Sequence, residues 1–329
     1  MKMTSRADSQ SVGLAPSVKE FAKWRTQHNR FVEALNEIRL THSMSGVEGT
    51  GMLVMGVPGL GKSSILKSYR KHHLENRKDL EGPDGSKEPI ILVSVPSEPT
   101  QKTLIQQILR ASSYEGSIKG TAEELRQKLD EFIVERSVEM LILDEFQHFL
   151  PEQASSNTRG VVNQIKLVMD THKLAVVMAG TPPGYRSIAK HEELYQRFAH
   201  RQVRLKPFNA DDRLKEFCKY MHACRRSLEK KGFGIIPLEN EEMLTRLYLA
   251  TKGIPRLITH LLMAAITNTG PGETVGLNDL RRAFCGRSLN PALGKFDPFS
   301  APPEQVNERA RKALKAARIE DSKHWTVEA

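Results

Sequence analysis

Residues 52–65 read MLVMGVPGLGKSSI: an apolar run that breaks into glycines and ends in Lys-Ser. Within it, GVPGLGKS fits the pattern G-x-x-x-x-G-K-[ST], with Gly56, Gly61, Lys62 and Ser63 at the fixed positions. Glycines let a backbone curl tightly enough for its N–H groups to surround phosphate oxygens. A helix opening at the loop's end adds its positive dipole. In such a loop Lys62 neutralises the β- and γ-phosphates and the Ser63 hydroxyl ligates Mg²⁺, so ATP and Mg²⁺ are the expected cofactors. Val57, Pro58, Gly59, Leu60 and Ser64 complete the expected nucleotide-binding stretch. An incidental glycine turn is the plainer reading. The apolar strand pattern before the loop and the helix-compatible KSSILKSYRKHH after it argue against that.

Outward from the loop, five short apolar runs alternate with helical stretches: 51–56, 90–95, 138–144, 174–180 and 202–208. Most are uniformly apolar, as strands covered on both faces must be. Strand–helix alternation of this kind implies an α/β fold with a parallel sheet. Before the loop, residues 18–40 place Phe21, Trp24, Phe31, Leu35 and Ile38 near helical spacing. After Phe208 the pattern becomes all-helical, with segments near 209–231, 239–252, 255–269 and 276–287. The expected organisation is therefore a flexible arm over 1–17, an α/β domain with a leading helix over 18–208, and a helical subdomain over 209–289. A Pro/Gly linker and a terminal helix and tail occupy 290–329.

The third apolar run ends in LILDEFQH. Two adjacent acids at the end of a buried strand are costly unless a cation or polar network compensates them. Asp144 is placed to hold magnesium and Glu145 to polarise an attacking water, so the pair reads as hydrolysis-competent. The fourth run ends in Thr181, whose hydroxyl can orient that water or sense the γ-phosphate; turn chemistry before Pro-Pro is the alternative. Next comes LYQRFAHRQVRL, with Arg197, Arg201 and Arg204. An arginine here can reach a neighbouring subunit's γ-phosphate, with Arg197 the first choice and a surface ion pair the alternative. In TKGIPRLI, a helix stop at Gly253 and a helix start at Pro255 explain the first two residues without any nucleotide, but not Arg256, which can fold back onto one.

The chain has 329 residues and a formal net charge of +10. That excess is uneven: residues 1–200 carry 26 Lys and Arg against 24 Asp and Glu, and residues 201–329 carry 23 against 15. A basic C-terminal part favours polyanionic partners. No apolar run reaches the length of a membrane span, and the polar N-terminal stretch lacks a signal-peptide core, so a cytoplasmic location without membrane attachment is expected. Cys218, Cys224 and Cys285 form no metal-ligand spacing and read as reduced thiols.

The P-loop, the Asp-Glu strand, the polar residue after the fourth strand, the following arginines and the Gly-x-Pro-Arg helix together resemble AAA+ ATPases. LILDEFQHF, VVMAGTP, LYQRFAHRQVRL and the N-terminal HNRFVEALNEI resemble more narrowly the TniB/TnsC family, AAA+ regulators of DNA transposition, over roughly residues 18–287. This resemblance implies a five-stranded sheet in the order 5-1-4-3-2 followed by a helical lid. It also implies a DNA-stimulated ATPase that assembles with copies of itself as a ring or filament on duplex DNA. Such a protein links a TniQ-like target-selection protein to the transposase and hydrolyses ATP to disassemble. The tail over 304–329 matches nothing in the family pattern.

The family's DNA pore, carried over to this chain, falls on PSEPTQKTL and GSIKGTAEEL. Thr100 and Thr121 stand where helix caps belong, beside Lys102 and Lys119, and helix N-termini with a nearby lysine suit sequence-independent phosphate contacts. Thr121 and Glu124 also spell an ordinary capping box. The competing function is a replication initiator or helicase loader, which shares the fold and often carries a winged-helix domain after the lid. A secretion-associated ATPase and a small-molecule kinase fit less of the pattern.

Overall fold

A computed structural model describes residues 16–325 apart from 25–27, 48, 78–86, 98, 149–155, 209–214, 268, 270–272 and 288. The expected arm over 1–17 therefore lies, save its last two residues, outside the described residues, as does the tail beyond 325. The chain divides into two compact units, one comprising 27–207 with 315–329 and the other 1–26 with 208–314.

The single leading helix expected over 18–40 is two helices, α1 (Pro16–Lys23) and α2 (Asn29–His42). Their apolar residues serve different cores. Val18 and Phe21 of α1 are buried among Phe208, Phe217 and Tyr220 of the second unit, while Phe31, Ala34 and Ile38 of α2 are buried in the first. Helical spacing was legible here; the change of core partner was not.

In the first unit, β1 (Gly51–Met55), β2 (Ile90–Ser94), β3 (Met140–Asp144), β4 (Ala175–Gly180) and β5 (Gln202–Arg204) form one sheet in the order β2-β3-β4-β1-β5. All pairings are parallel, with Gly51 opposite Val176 and Met140 opposite Ala175. The order is the expected 5-1-4-3-2 read from the other side. β1, β3 and β4 are buried along their whole length, which explains their unbroken apolar sequences. The expected fifth strand over 202–208 is shorter: the ladder ends where the Leu205 N–H donates to the Met55 carbonyl at 2.7 Å. Lys206 is exposed and Pro207 has no N–H to continue it. Around the sheet lie α3 (Lys62–Glu75), α4 (Gln101–Ala111), α5 (Ala122–Glu135), α6 (Ser156–His172), α7 (Pro182–Ala189) and α8 (Glu192–Phe198).

The second unit holds α1, α9 (Lys215–Glu229), α10 (Glu241–Thr251), α11 (Pro255–Thr267), α12 (Leu277–Cys285) and the start of α13 (Pro303–Trp325). Its core gathers Phe217, Met221, Leu247, Ile258 and Leu261. The all-helical expectation misses a two-residue parallel ladder, β6 (Gly234–Ile235) with β7 (Thr274–Val275). Two-residue strands are too short to show a period of two. A Cβ on Gly253 would stand 1.8 Å from the Phe208 carbonyl oxygen, and φ is +65° there, so glycine is demanded by a close approach as well as by a helix stop.

Candidate nucleotide site

The loop leaving β1 is shaped by three glycines with two different duties. Gly59 and Gly61 adopt φ of 88° and 95°, the left-handed region that disfavours side chains. Gly56 instead makes room, since a Cβ there would lie 2.9 Å from the Leu205 carbonyl oxygen. Gly61 is the N-cap of α3 and offers no side chain to the first N–H groups of that helix. Those donors point out of the helix end, the arrangement that receives an anion. Lys62, only 5 % exposed, curls back so that its Nζ donates to the carbonyls of Gly56 at 2.8 Å and Val57 at 3.3 Å. Its charge thus lies inside the loop.

Asp144 ends β3 and is 9 % exposed. Burial pushes its carboxyl above the usual range and the neighbouring Glu145 charge adds to this; a hydrogen bond from the Ser63 hydroxyl and the nearby Lys62 work in the opposite direction. The Glu145 N–H also donates to Asp144 Oδ1 at 3.0 Å. The structure therefore brings the two expected magnesium-binding residues, Ser63 and Asp144, into contact across the gap between α3 and β3.

Glu145 has φ of 59°, a left-handed conformation unusual for a side-chain-bearing residue and of the kind that collects at functional sites. The next three residues hold it there. Phe146 is fully buried, and Cβ atoms on Gly180 and Gly184 would lie 2.6 and 2.8 Å from its ring. Gln147 then bridges two elements: its Nε2 donates to the Glu145 carboxylate and its Oε1 accepts the Thr181 N–H at 3.2 Å. The His148 ring lies 3.1 Å from the Val95 carbonyl oxygen beyond β2. Sequence alone assigns Gln147 no role within DEFQH. Its signal was the pairing of a bulky Phe-Gln with Gly180 and Gly184, which only the fold brings together.

The remaining residues divide. Thr181 caps α7 in extended conformation, and its side chain makes no capping bond. Arg197 forms a two-point ion pair with Asp170, one arm at 2.5 Å and the other at 3.0 Å. Arg204 lies between the Tyr185 and Trp325 rings, 5.1 and 4.6 Å from their centroids. Arg201 is half-buried with no side-chain partner among the described residues. Arg256 is exposed in the first turn of α11 and belongs to the helical unit. Thr100 and Thr121 each close a capping box, with Thr103 and Glu124 respectively, so both hydroxyls serve their own helices. Lys102 and Lys119 beside them are exposed.

A parallel sheet of this order, a phosphate-type loop after β1, an acidic pair at the end of β3 and a polar residue at the end of β4 define a P-loop protein of the AAA+ type. Solved structures similar to the chain carry the same fold. The Aeropyrum pernix ORC2 protein in its ADP form has a TM-score of 0.60 at 14% identity, covering 92% of this chain and 84% of that one. CDC6P from Pyrobaculum aerophilum has a TM-score of 0.55 at 14% identity, covering 82% and 70%. Drosophila ORC bound to DNA has a TM-score of 0.54 at 16% identity, covering 89% and 72%. Among curated proteins none matches the chain by sequence. The family profile described as "Bacterial TniB protein" matches residues 21–208, more than half of the chain, and the chain belongs to that family.

Proposed function

We propose that this chain is an ATP-dependent regulator of DNA transposition that assembles on duplex DNA and hydrolyses ATP to let go. The observation that carries the reading is the contact of Ser63 with Asp144 beside the Glu145–Gln147–Thr181 chain, in a member of the TniB family. The residues fit a magnesium nucleotide. Left-handed Gly59 and Gly61, the glycine N-cap of α3 and the inward Lys62 suit a polyphosphate, and a buried carboxylate bonded to a hydroxyl suits a divalent cation.

In this reading the backbone over 56–61 with Lys62 and Ser64 holds the nucleotide, Ser63 and Asp144 hold Mg²⁺, and Mg²⁺ supplies charge neutralisation on the phosphates when bound. Glu145 takes a proton from water. Gln147 fixes the direction of the Glu145 carboxylate and ties it to Thr181 at the end of β4. Arg256, in the first turn of α11, is the helical unit's candidate nucleotide residue. Arg197 is the candidate donated to a neighbouring subunit, for which it must leave Asp170; Arg201, with no such ion pair to break, is the second candidate. Lys102 and Lys119 contact DNA phosphates, with Thr100 and Thr121 fixing the helix ends beside them. The transposase and a TniQ-like selector are the proposed protein partners.

Electron microscopy with duplex DNA and a non-hydrolysable ATP analogue tests the whole reading. Rings or filaments along DNA are expected, and particles indifferent to both DNA and nucleotide would overturn it. The likeness to origin-recognition structures favours one second reading, an initiator or loader. It predicts nucleotide-dependent binding to a replication protein in place of assembly along DNA.

A further inference from the structure

At the opposite end of α3 from the phosphate loop, three potential metal ligands converge: His42 at the end of α2, His73 in α3 and Glu139 just before β3. One ligand atom from each lies within 4.8 Å of the others. His42 Nε2 is 3.0 Å and His73 Nε2 3.9 Å from Glu139 Oε2. Ligand atoms around a tetrahedral zinc-class ion stand about 3.3 Å apart, given metal–ligand bonds of about 2.0–2.1 Å. The cluster is therefore within a small side-chain adjustment of that geometry.

Three further features suit a metal. His42 is buried, so its ring is held in place at the end of α2. Its Nδ1 lies 2.8 Å from the Tyr69 hydroxyl, which can accept an Nδ1–H and fix the tautomer that presents Nε2 to an ion. His73 and Glu139 are half-buried, which leaves a way in and room for a fourth ligand such as water. Facing them is Arg77, whose Nη1 is 3.2 and 3.3 Å from Oε1 and Oε2 of Glu139 and 3.4 Å from His73 Nε2, and whose Nη2 is 3.2 Å from Oε1. A guanidinium thus occupies the approach an ion would take, and its charge competes with one.

We propose that His42, His73 and Glu139 bind one divalent transition ion of the zinc class, through two imidazole nitrogens and Glu139 Oε2, stapling α2 and α3 to the start of β3. Arg77 then turns away from Oε2. The proposal is independent of the nucleotide reading, because the ligands come from the far end of α3.

The test is titration of the untagged, chelator-treated full chain with Co²⁺ and with Zn²⁺, without nucleotide. One Co²⁺ per chain with intense tetrahedral visible absorption, displaced by Zn²⁺, is expected, together with a rise in thermal midpoint. His73→Ala and Glu139→Gln, both at half-buried positions, should abolish the absorption while the circular dichroism of the fold is kept. Tyr69→Phe should weaken binding by about 10–100-fold. Arg77→Met should tighten it, and Lys62→Ala should leave it unchanged. Absence of Co²⁺ absorption in the wild type overturns the proposal. So does equal binding by His73→Ala, which would mark an adventitious surface-histidine site.

Discussion

The two edges of the five-stranded sheet, joined by α3, solve opposite problems. At the carboxyl edge the backbone is bent into left-handed turns at Gly59, Gly61 and Glu145, and the N-cap of α3 is a glycine with no side chain to offer. Asp144 sits there buried, with a hydroxyl and a backbone N–H as its hydrogen-bond donors. At the amino edge side chains fill the space: His42, Tyr69, His73, Glu139 and Arg77 pair with one another. An edge made of backbone and glycine leaves room for a large anion. An edge made of interlocked side chains leaves no such room. Charge compensation differs in the same sense, since Glu139 has Arg77 beside it and Asp144 is held above its ordinary range by burial.

Substitutions of the charged side chains at the carboxyl edge should therefore change chemistry and leave the fold, and the comparison breaks where they do not. The largest effect is expected for Glu145→Gln, which should lower ATP turnover by about 10²–10⁴-fold with nucleotide binding retained, read by phosphate release and fluorescent-nucleotide titration. Lys62→Ala should weaken nucleotide affinity by about 30-fold or more, because its buried charge is removed without replacement, while the thermal midpoint barely moves. Gly180→Ala should couple the two properties. Its Cβ would lie 2.6 Å from the Phe146 ring and 2.7 Å from Gln147 Oε1, so chemical denaturation should show a loss of about 1–3 kcal/mol, with turnover falling as Gln147 is displaced. The smallest effect is a gain. A carboxyl held above its ordinary range favours the protonated form, so the native state loses stability as pH rises through that range. Asp144→Asn removes this loss, and the nucleotide-free variant should melt higher than wild type at neutral pH while losing its response to Mg²⁺. A lower melting point would mean Asp144 is compensated as fully as Glu139, and the contrast between the edges would fail.

Much of the carboxyl edge was legible because its chemistry is carried by residues close together in sequence. The spacing Gly56, Gly61, Lys62, Ser63 and the pair Asp144-Glu145 each declare themselves within a few residues, and uniformly apolar strands announce a sheet covered on both faces. What stayed hidden depends on residues far apart. Gln147 gains its role only when Thr181 is brought alongside, and Gly253 its necessity only when Phe208 passes 1.8 Å from a would-be Cβ. His42, His73 and Glu139 obey no ligand spacing, since three different elements supply them. The break between α1 and α2 was hidden because periodicity reports which face is apolar and not which core it enters. The Asp170 partner of Arg197, 27 positions away, lies beyond the reach of local pairing along one helix.

The two tryptophans of the chain fall one to each unit. Trp24 stacks on Phe21 at 5.9 Å in the helical unit, and Trp325 packs edge-on to Tyr185 at 5.6 Å in the nucleotide unit. Each unit therefore carries its own native fluorophore in an aromatic setting that unfolding would dissolve. A pair of single-tryptophan variants, Trp24→Phe and Trp325→Phe, would let the melting of each half be watched by its own emission, and with it whether nucleotide steadies one half or both.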